Sequence, residues 1–209
     1  MKGTDMLDPF HQIIKIIRDK LQEKDSLLIA IDGRCAAGKT TLADKLQKAL
    51  ACNCIHMDDF FLQPVQRTPQ RLKEPGGNVD YERFRQEVLI PLKGESPFSF
   101  RPFLCSSMDF GKPIMVEPNP VTIIEGSYAC HPNLINYYDL RIFLSIDEKE
   151  QMKRIQKRNG MDAAKVFQDK WIPLEEAYFA AYQVSDQCDL TFLQEHLFEK
   201  NLVFSHAIW

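Results

Sequence analysis

The sequence of 209 residues has no apolar run long enough to span a membrane as a helix, which takes about 18 consecutive residues or more. It also has no excess of positive charge, since 26 Lys and Arg stand against 29 Asp and Glu, for a net charge of −3. Binding to nucleic acid depends on a basic field that meets the phosphate backbone. We therefore expect neither a membrane span nor a nucleic-acid partner.

The six cysteines lack the paired C-x-x-C spacing of a zinc site, so no structural zinc is predicted. The start of the chain is polar, with Asp5 and Asp8 where a secretory signal would begin its apolar run. Unpaired thiols without an export signal indicate a cytoplasmic protein.

The length and composition predict a single domain over residues 1–209, with a buried core. Apolar runs without alternation predict buried strands at 26–32, 121–125 and 140–146, with shorter strands at 52–57 and 190–192. Helical patterns cover 8–24, 39–51, 80–89, 148–158 and 162–183, while 62–78 is predicted as a loop and 94–120 as irregular structure or a small hairpin. Strands that alternate with helices indicate an α/β fold, with helices on both faces of a parallel β-sheet.

One motif lies between the first predicted strand and the following helix. Residues 33–40 read GRCAAGKT and match the phosphate-binding pattern G-x-x-x-x-G-K-[ST]. Backbone N–H groups in such a loop point at phosphate oxygens, and the helix dipole adds positive potential. Lys39 should reach the β- and γ-phosphates of a nucleoside triphosphate, and the Thr40 hydroxyl should bind Mg²⁺. The residues predicted to hold the nucleotide are Gly33, Arg34, Ala36, Ala37, Gly38, Lys39, Thr40 and Thr41.

Acidic residues follow two predicted strands at the edge where ligands bind in open parallel sheets. Asp58 and Asp59 close the second strand, and Glu125 closes the strand at 121–125. We expect Glu125 to lie near Mg²⁺, or alternatively to cap a helix or form a salt bridge. Asp58 is the candidate catalytic base for an acceptor hydroxyl, with a turn-capping role as the alternative. His56, just before these acids, is interpreted as a packed strand residue, or as a group that tunes them.

A basic helix follows the strand at 140–146. Arg154 and Arg158 are four residues apart and share one helix face. An arginine that reaches the transferred phosphoryl group accelerates its transfer. We therefore predict a lid over about residues 148–170 that carries both arginines as catalytic groups, with a solvated basic face as the alternative.

These motifs, in this order, resemble the uridine kinase and phosphoribulokinase family of P-loop kinases over residues 26–192. The resemblance is carried by the loop at 33–40, by DDFF at 58–61, by NVD at 78–80, by Glu125-Gly126 and by the arginine helix. It implies that Asp58 is the base, that Asp80 binds sugar hydroxyls, and that Arg101 lies where family members contact the acceptor. Phe61 stands where uridine kinases usually carry tyrosine, and it is a candidate to stack on a planar base.

The combined expectation is an ATP- and Mg²⁺-dependent kinase that transfers the γ-phosphate to a hydroxyl, with a nucleoside as the first candidate acceptor. Another small alcohol, such as pantothenate or a sugar phosphate, remains an alternative acceptor. A nucleotide-binding regulator without an acceptor is the other alternative, although the chain lacks the Asn-Lys-x-Asp motif of common GTPases. The sequence leaves open the choice between ATP and GTP, and also whether the chain forms a homo-oligomer.

Overall fold

The computed structural model describes residues 9–193. The first helix, α1, covers Pro9–Lys20 and buries Ile13, Ile14 and Ile17 on one face. Its proline at the first position suits a helix start, because the missing N–H would have had no partner there. None of the helices in the described range is long and apolar enough to cross a bilayer.

Nine strands are present within residues 9–193. Their bounds are β1 Leu27–Gly33, β2 Asn53–His56, β3 Phe98–Phe100, β4 Phe103–Leu104, β5 Asp109–Phe110, β6 Ile114–Val116, β7 Val121–Glu125, β8 Leu140–Ser145 and β9 Leu190–Leu193. Five of them form one parallel sheet in the order β2-β7-β1-β8-β9. This arrangement confirms the predicted parallel α/β sheet, with the first strand at its centre.

The central strand β1 is buried on both faces, as its unbroken apolar run predicts. Ile29 and Ile31 belong to the core that packs against helices α1 and α2, the latter covering Lys39–Leu50. Ala30 belongs to the opposite core, which contains Phe60, Phe84 and Tyr178. Successive side chains of a strand point to opposite faces, so a single strand contributes to two cores. The carboxyl ends of the strands are thereby held at one rigid edge.

The remaining helices differ in detail from the predicted ranges. The helix predicted at 80–89 begins as α4 at Tyr81–Phe84 and continues as π-helix over Arg85–Leu89. The range predicted at 148–158 is α5, Glu148–Asn159. The range predicted at 162–183 is divided into α6, a π-helix and α7, at Met161–Val166, Phe167–Trp171 and Ile172–Tyr182.

Two segments predicted as loop or irregular structure contain short elements. The segment 62–78 includes a short helix, α3, at Pro69–Lys73, which Thr68 caps by accepting the N–H of Arg71. In the segment 94–120, β3 pairs with β6 and β4 pairs with β5, both antiparallel. The predicted hairpin is therefore two nested strand pairs.

Candidate phosphoryl-transfer site

A cavity of about 1290 Å³ opens beyond the carboxyl ends of β1, β2 and β7. Its walls come from the phosphate loop, the turn after β2, the segment after β7, the tip of the β4–β5 hairpin and the region predicted as a lid. Ligands of open parallel sheets bind at this edge. The sequence-predicted residues that line the cavity are Ala36, Gly38, Lys39, Thr40, Thr41, Asp58, Phe61, Glu125, Arg154 and Arg158.

The phosphate loop has the backbone shape that its glycines predict. Gly33, Ala36 and Gly38 have positive φ values of 132°, 61° and 95°. Lys39 Nζ lies inside the loop and donates to the carbonyl oxygens of Gly33 at 2.7 Å and Arg34 at 3.0 Å. It therefore sits where a phosphate-binding ammonium is needed, held by neutral acceptors that phosphate oxygens can replace.

Three of the residues predicted to hold the nucleotide do not line the cavity. Gly33 lies at the entry of the loop, Ala37 is fully buried, and Arg34 directs its side chain to Glu176, with Nε 3.0 Å from Oε1. These residues build and brace the loop. Because the guanidinium of Arg34 is already paired with a carboxylate, we no longer expect its side chain to contact phosphate.

Thr40, Glu125 and His56 form a small polar cluster at the edge of the cavity. Thr40 Oγ1 donates to Glu125, 3.2 Å from Oε1, and His56 Nδ1 lies 2.6 Å from the same oxygen. The hydrogen bond to Glu125 raises the pKa of His56. His56 is therefore more than a packed strand residue, because it fixes the carboxylate that was predicted to lie near Mg²⁺.

The hydroxyl of Thr40 and the carboxylate of Glu125 fit a Mg²⁺ site. Magnesium in phosphoryl-transfer sites is held by one or two protein oxygens together with oxygens of the substrate phosphates. Within residues 9–193 there is no cluster of three or more His, Cys, Asp or Glu side chains that would hold a metal by itself. The donor set therefore fits a metal that arrives with a nucleotide.

Asp58 and Asp59 both lie in the 3₁₀ turn at Met57–Phe60, which follows β2 directly. Asp58 lines the cavity, whereas Asp59 does not. The Asp58 side chain is exposed to the cavity, yet the protein packed around it raises the pKa of its carboxyl by desolvation, an effect that the positive charge of Lys39 opposes. The turn thus directs one acid of the pair at the space above the phosphate loop, and this is the acid predicted as the base.

Asp80 does not line the cavity, contrary to the role that the family resemblance implies. It is buried and caps helix α4, where Oδ1 accepts the N–H of Arg83 at 3.0 Å. Its Oδ2 accepts from Gln66 Nε2 at 2.7 Å. Both oxygens therefore already accept hydrogen bonds from the protein, and the observed role of Asp80 is that of a helix cap.

Arg101 is also placed away from the cavity. Its Nε donates to the carbonyl of Gly111 at 2.8 Å and Nη2 donates to that of Phe110 at 3.1 Å. The side chain therefore closes the β4–β5 hairpin across its base. A contact of Arg101 with the acceptor stays a prediction, and it would require these hydrogen bonds to be shared or broken.

The region predicted as a lid contributes Arg154, Lys157 and Arg158 to the cavity wall. Arg154 Nε donates to Glu150 at 3.0 Å, and its Nη1 is 3.4 Å from the carbonyl of Ala36 in the phosphate loop. Arg158 Nε donates to Asn159 at 2.8 Å. Both arginines therefore line the cavity, and Arg154 also contacts the phosphate loop.

The sequence interpretation missed Asp32, the residue immediately before the loop. This fully buried carboxylate accepts from the N–H groups of Gly33 at 2.6 Å and Cys130 at 2.8 Å, and from the Tyr178 hydroxyl at 2.8 Å. Burial raises the pKa of Asp32 to about 6, although these hydrogen bonds and Lys39 oppose the shift. An acid that ends an apolar strand before the motif was the only local signal of this role.

Ser127 and Glu175 were missed as well. Ser127 follows β7 and Glu175 lies in the first turn of α7, yet both line the cavity beside Lys39. Ser127 Oγ is 3.2 Å from Lys39 Nζ and 2.5 Å from Glu175 Oε1. No local sequence signal marks either residue, since the contact joins distant parts of the chain.

Comparison with known proteins finds solved structures of similar fold but no match by sequence. No protein-family model and no curated protein match the chain. A protein from Bacillus stearothermophilus described as a possible uridine kinase has a TM-score of 0.64 at 18% identity, covering 89% of this chain and 100% of that one.

Two further solved structures have similar folds. A candidate fructose transport system kinase from Silicibacter sp. TM1040 has a TM-score of 0.60 at 22% identity, covering 85% of this chain and 97% of that chain. Phosphoribulokinase from Rhodobacter spheroides has a TM-score of 0.55 at 12% identity, covering 81% of this chain and 70% of that enzyme. The protein therefore has the P-loop kinase fold, and within it the fold resembles the uridine kinase and phosphoribulokinase group, as the motifs predict.

Proposed function

We propose that this protein transfers the γ-phosphate of ATP to a hydroxyl group of a small molecule. The observation that carries the proposal is the placement of Asp58 in the same cavity as Lys39 and Thr40 of the phosphate loop. A nucleotide-binding regulator needs the loop but has no need for a carboxylate directed at the space beyond it. A kinase needs both, because the nucleophile must be oriented and its proton accepted.

The residues divide the reaction between them. Backbone N–H groups of the loop and Lys39 hold the phosphates, while Thr40 and Glu125 supply oxygens for Mg²⁺. A Mg²⁺ ion held by these two side chains would neutralise part of the charge on the phosphates. Asp58 orients the acceptor hydroxyl and accepts its proton late, which suits a carboxylate because the transition state is loose.

The arginines of the region 148–170 complete the proposed site. Arg154 and Arg158 lie on the nucleotide side of the cavity and match the charge that spreads over the transferred phosphoryl group. The segment supports a lid because it forms one wall of the cavity. Its closure would exclude water and so favour transfer to the acceptor over hydrolysis.

A nucleoside is the first candidate acceptor. Phe61 lies three residues from Asp58, and both Phe61 and Tyr128 line the cavity. Aromatic rings of this kind stack on planar bases. The support comes from these rings and from the family resemblance, whereas Asp80 adds none because it caps α4.

An acidic alcohol, such as a sugar phosphate or pantothenate, is the second candidate acceptor. Arg67 favours it, since this cation lines the cavity from the segment 62–78. Arg67 Nε donates to the carbonyl of Leu62 at 3.0 Å, and no carboxylate within residues 9–193 forms a salt bridge with it. An arginine with spare donors is well suited to bind phosphate or carboxylate.

The test is ATP consumption with a panel of nucleosides, pantothenate and sugar phosphates. Asp58→Asn should lower turnover with the accepted substrate about 10²–10⁴-fold while leaving ATP binding intact. Asp59→Asn is the matched control, because the neighbouring acid lies outside the cavity, and it should stay near wild-type turnover. If no acceptor raises ATP consumption above its basal rate, the kinase proposal is wrong.

The same panel separates the two acceptor classes. Arg67→Gln should raise KM about 10-fold or more for an acidic acceptor, and leave KM for a neutral nucleoside within about twofold. Arg85→Gln offers a control at an arginine outside the cavity, since Arg85 Nε donates to the Tyr137 hydroxyl.

A further inference from the structure

Two consecutive glutamates near the start of helix α7 both reach back to the phosphate loop. Glu176 pairs with Arg34 at the surface. Glu175 is 5% exposed and turns inward, where its Oε2 accepts the backbone N–H of Cys35 at 2.9 Å. Its Oε1 accepts the Ser127 hydroxyl at 2.5 Å. A carboxylate thus lies within the loop that is built to bind anions.

Cys35 is the third residue of the phosphate loop, whose backbone N–H groups bind phosphate oxygens in proteins that carry this motif. The carboxylate oxygen on its N–H therefore stands where an anionic oxygen of a ligand is expected. Ser127, the second partner of Glu175, is also 3.2 Å from Lys39 Nζ. Glu175 is consequently one hydroxyl group away from the ammonium that reaches the β- and γ-phosphates.

The carboxylate and a terminal phosphate cannot share this position without cost. Two anions at close range in a shielded site repel each other strongly. The backbone of Cys35 is also held on its other side, because Gln151 Nε2 of α5 donates to its carbonyl at 3.0 Å. Gln151 of the region predicted as a lid and Glu175 of α7 therefore both bind the same loop residue.

We propose that Glu175 is a specificity-determining anion that occupies the terminal-phosphate position of the loop and must be displaced by ATP but not by ADP. This inference rests on the proposed function, because it takes the loop to bind a nucleotide. When the γ-phosphate binds, the carboxylate leaves Cys35 and Ser127, and α7 loses one of its two carboxylate contacts with the loop. When the phosphate has been transferred, Glu175 returns, so α7 reports which nucleotide is bound.

The test compares the affinities of two nucleotides for one variant. Glu175→Gln keeps the size of the side chain and removes its charge. We expect the Kd for ATP, measured by calorimetry with Mg²⁺, to fall about 10-fold, within the usual range of coupling between sites. The Kd for ADP should change by less than about twofold, since ADP leaves Glu175 in place.

Glu176→Gln is the matched control, because this adjacent carboxylate lies on Arg34 outside the cavity. It should shift ATP and ADP affinities equally. An equal change for both nucleotides in Glu175→Gln, no change, or weaker ATP binding would each overturn the inference while leaving the kinase proposal intact. A wild-type protein that binds neither nucleotide would overturn both.

A second variant keeps the test available if Glu175→Gln does not fold. Ser127→Ala removes the hydroxyl that orients the carboxylate and leaves the charge in place. It should also strengthen ATP binding relative to ADP binding, although by less than Glu175→Gln. A loss of ATP binding without a change for ADP would show that Ser127 serves the phosphate itself, and the inference would be wrong.

Discussion

Gly33 is the residue at which strand β1 turns into the phosphate loop, and its replacement by alanine should destabilise the fold severely. Its φ is +132°, a value that residues with a side chain rarely adopt, and an added Cβ would lie 2.0 Å from the carbonyl oxygen of Leu144. That oxygen belongs to the paired strand β8 and also accepts the N–H of Arg34 at 3.0 Å. The added Cβ would meet backbone atoms of Leu144, so no side chain could rotate to relieve the clash.

The expected loss of stability in Gly33→Ala has three sources. Backbone strain at a disfavoured φ costs about 1–3 kcal/mol, and overpacking against a rigid neighbour costs about 1–3 kcal/mol. Loss of the hydrogen bond to Leu144 adds about 1 kcal/mol. We therefore expect the free energy of unfolding of Gly33→Ala to fall by about 3–7 kcal/mol, equivalent to roughly 10–25 °C in Tm for a chain of this size.

Gly160→Ala separates the steric part from the backbone part. Gly160 also has a positive φ of 83°, but nothing lies within 4 Å of an added Cβ. In this variant the added Cβ should cause backbone strain alone, so the free energy of unfolding should fall by about 1–3 kcal/mol. Both variants would be unfolded in urea and followed by circular dichroism. If Gly33→Ala is no less stable than Gly160→Ala, the close approach of β1 and β8 described here is wrong.

Three further predictions follow from the placement of acidic residues. Asp80→Ala should lower the free energy of unfolding by about 1–2 kcal/mol as a lost helix cap without raising KM for the acceptor, and a KM raised about 10-fold would restore Asp80 as an acceptor ligand. Because the pKa of Asp32 is raised from 3.8 to about 6, the folded state keeps a proton that the unfolded chain has released between these values. The free energy of unfolding should therefore fall as the pH rises through that window, and Asp32→Asn should lack this contribution to the fall. Equal pH slopes for the wild-type protein and the variant in urea titrations would contradict this. Glu125→Gln should raise the Mg²⁺ concentration for half-maximal turnover about 10–100-fold, and an unchanged Mg²⁺ titration would remove Glu125 from the metal shell.

The parts predicted correctly from sequence are those determined by local chemistry. The buried strand, the glycine loop and the helix that begins at Lys39 are contiguous, so one motif describes all three. The parallel sheet also followed from the pattern of apolar runs, because a parallel strand pair needs a helical crossover. Of the two acids that follow β2, Asp58 lines the cavity and Asp59 does not, while the role of Asp58 as the base stays a prediction.

The sequence leaves the role of a residue open where one motif supports two interpretations. An acid whose side chain accepts the backbone N–H three residues later caps a helix, and Asp80 has this role. The family pattern placed the same residue on a substrate. Nothing in the local sequence distinguishes these roles, since the outcome depends on Gln66, which occupies the second carboxylate oxygen.

The sequence by itself determined that this chain forms a phosphate loop on a parallel sheet, because the glycines, the lysine and the apolar strand act through their immediate neighbours. Only the tertiary structure decided what surrounds that loop. Asp32 binds Tyr178 across 146 positions, and Glu175 binds the N–H of Cys35 across 140 positions. Contacts at such separations are set by how helices pack on the sheet, and no local pattern records them.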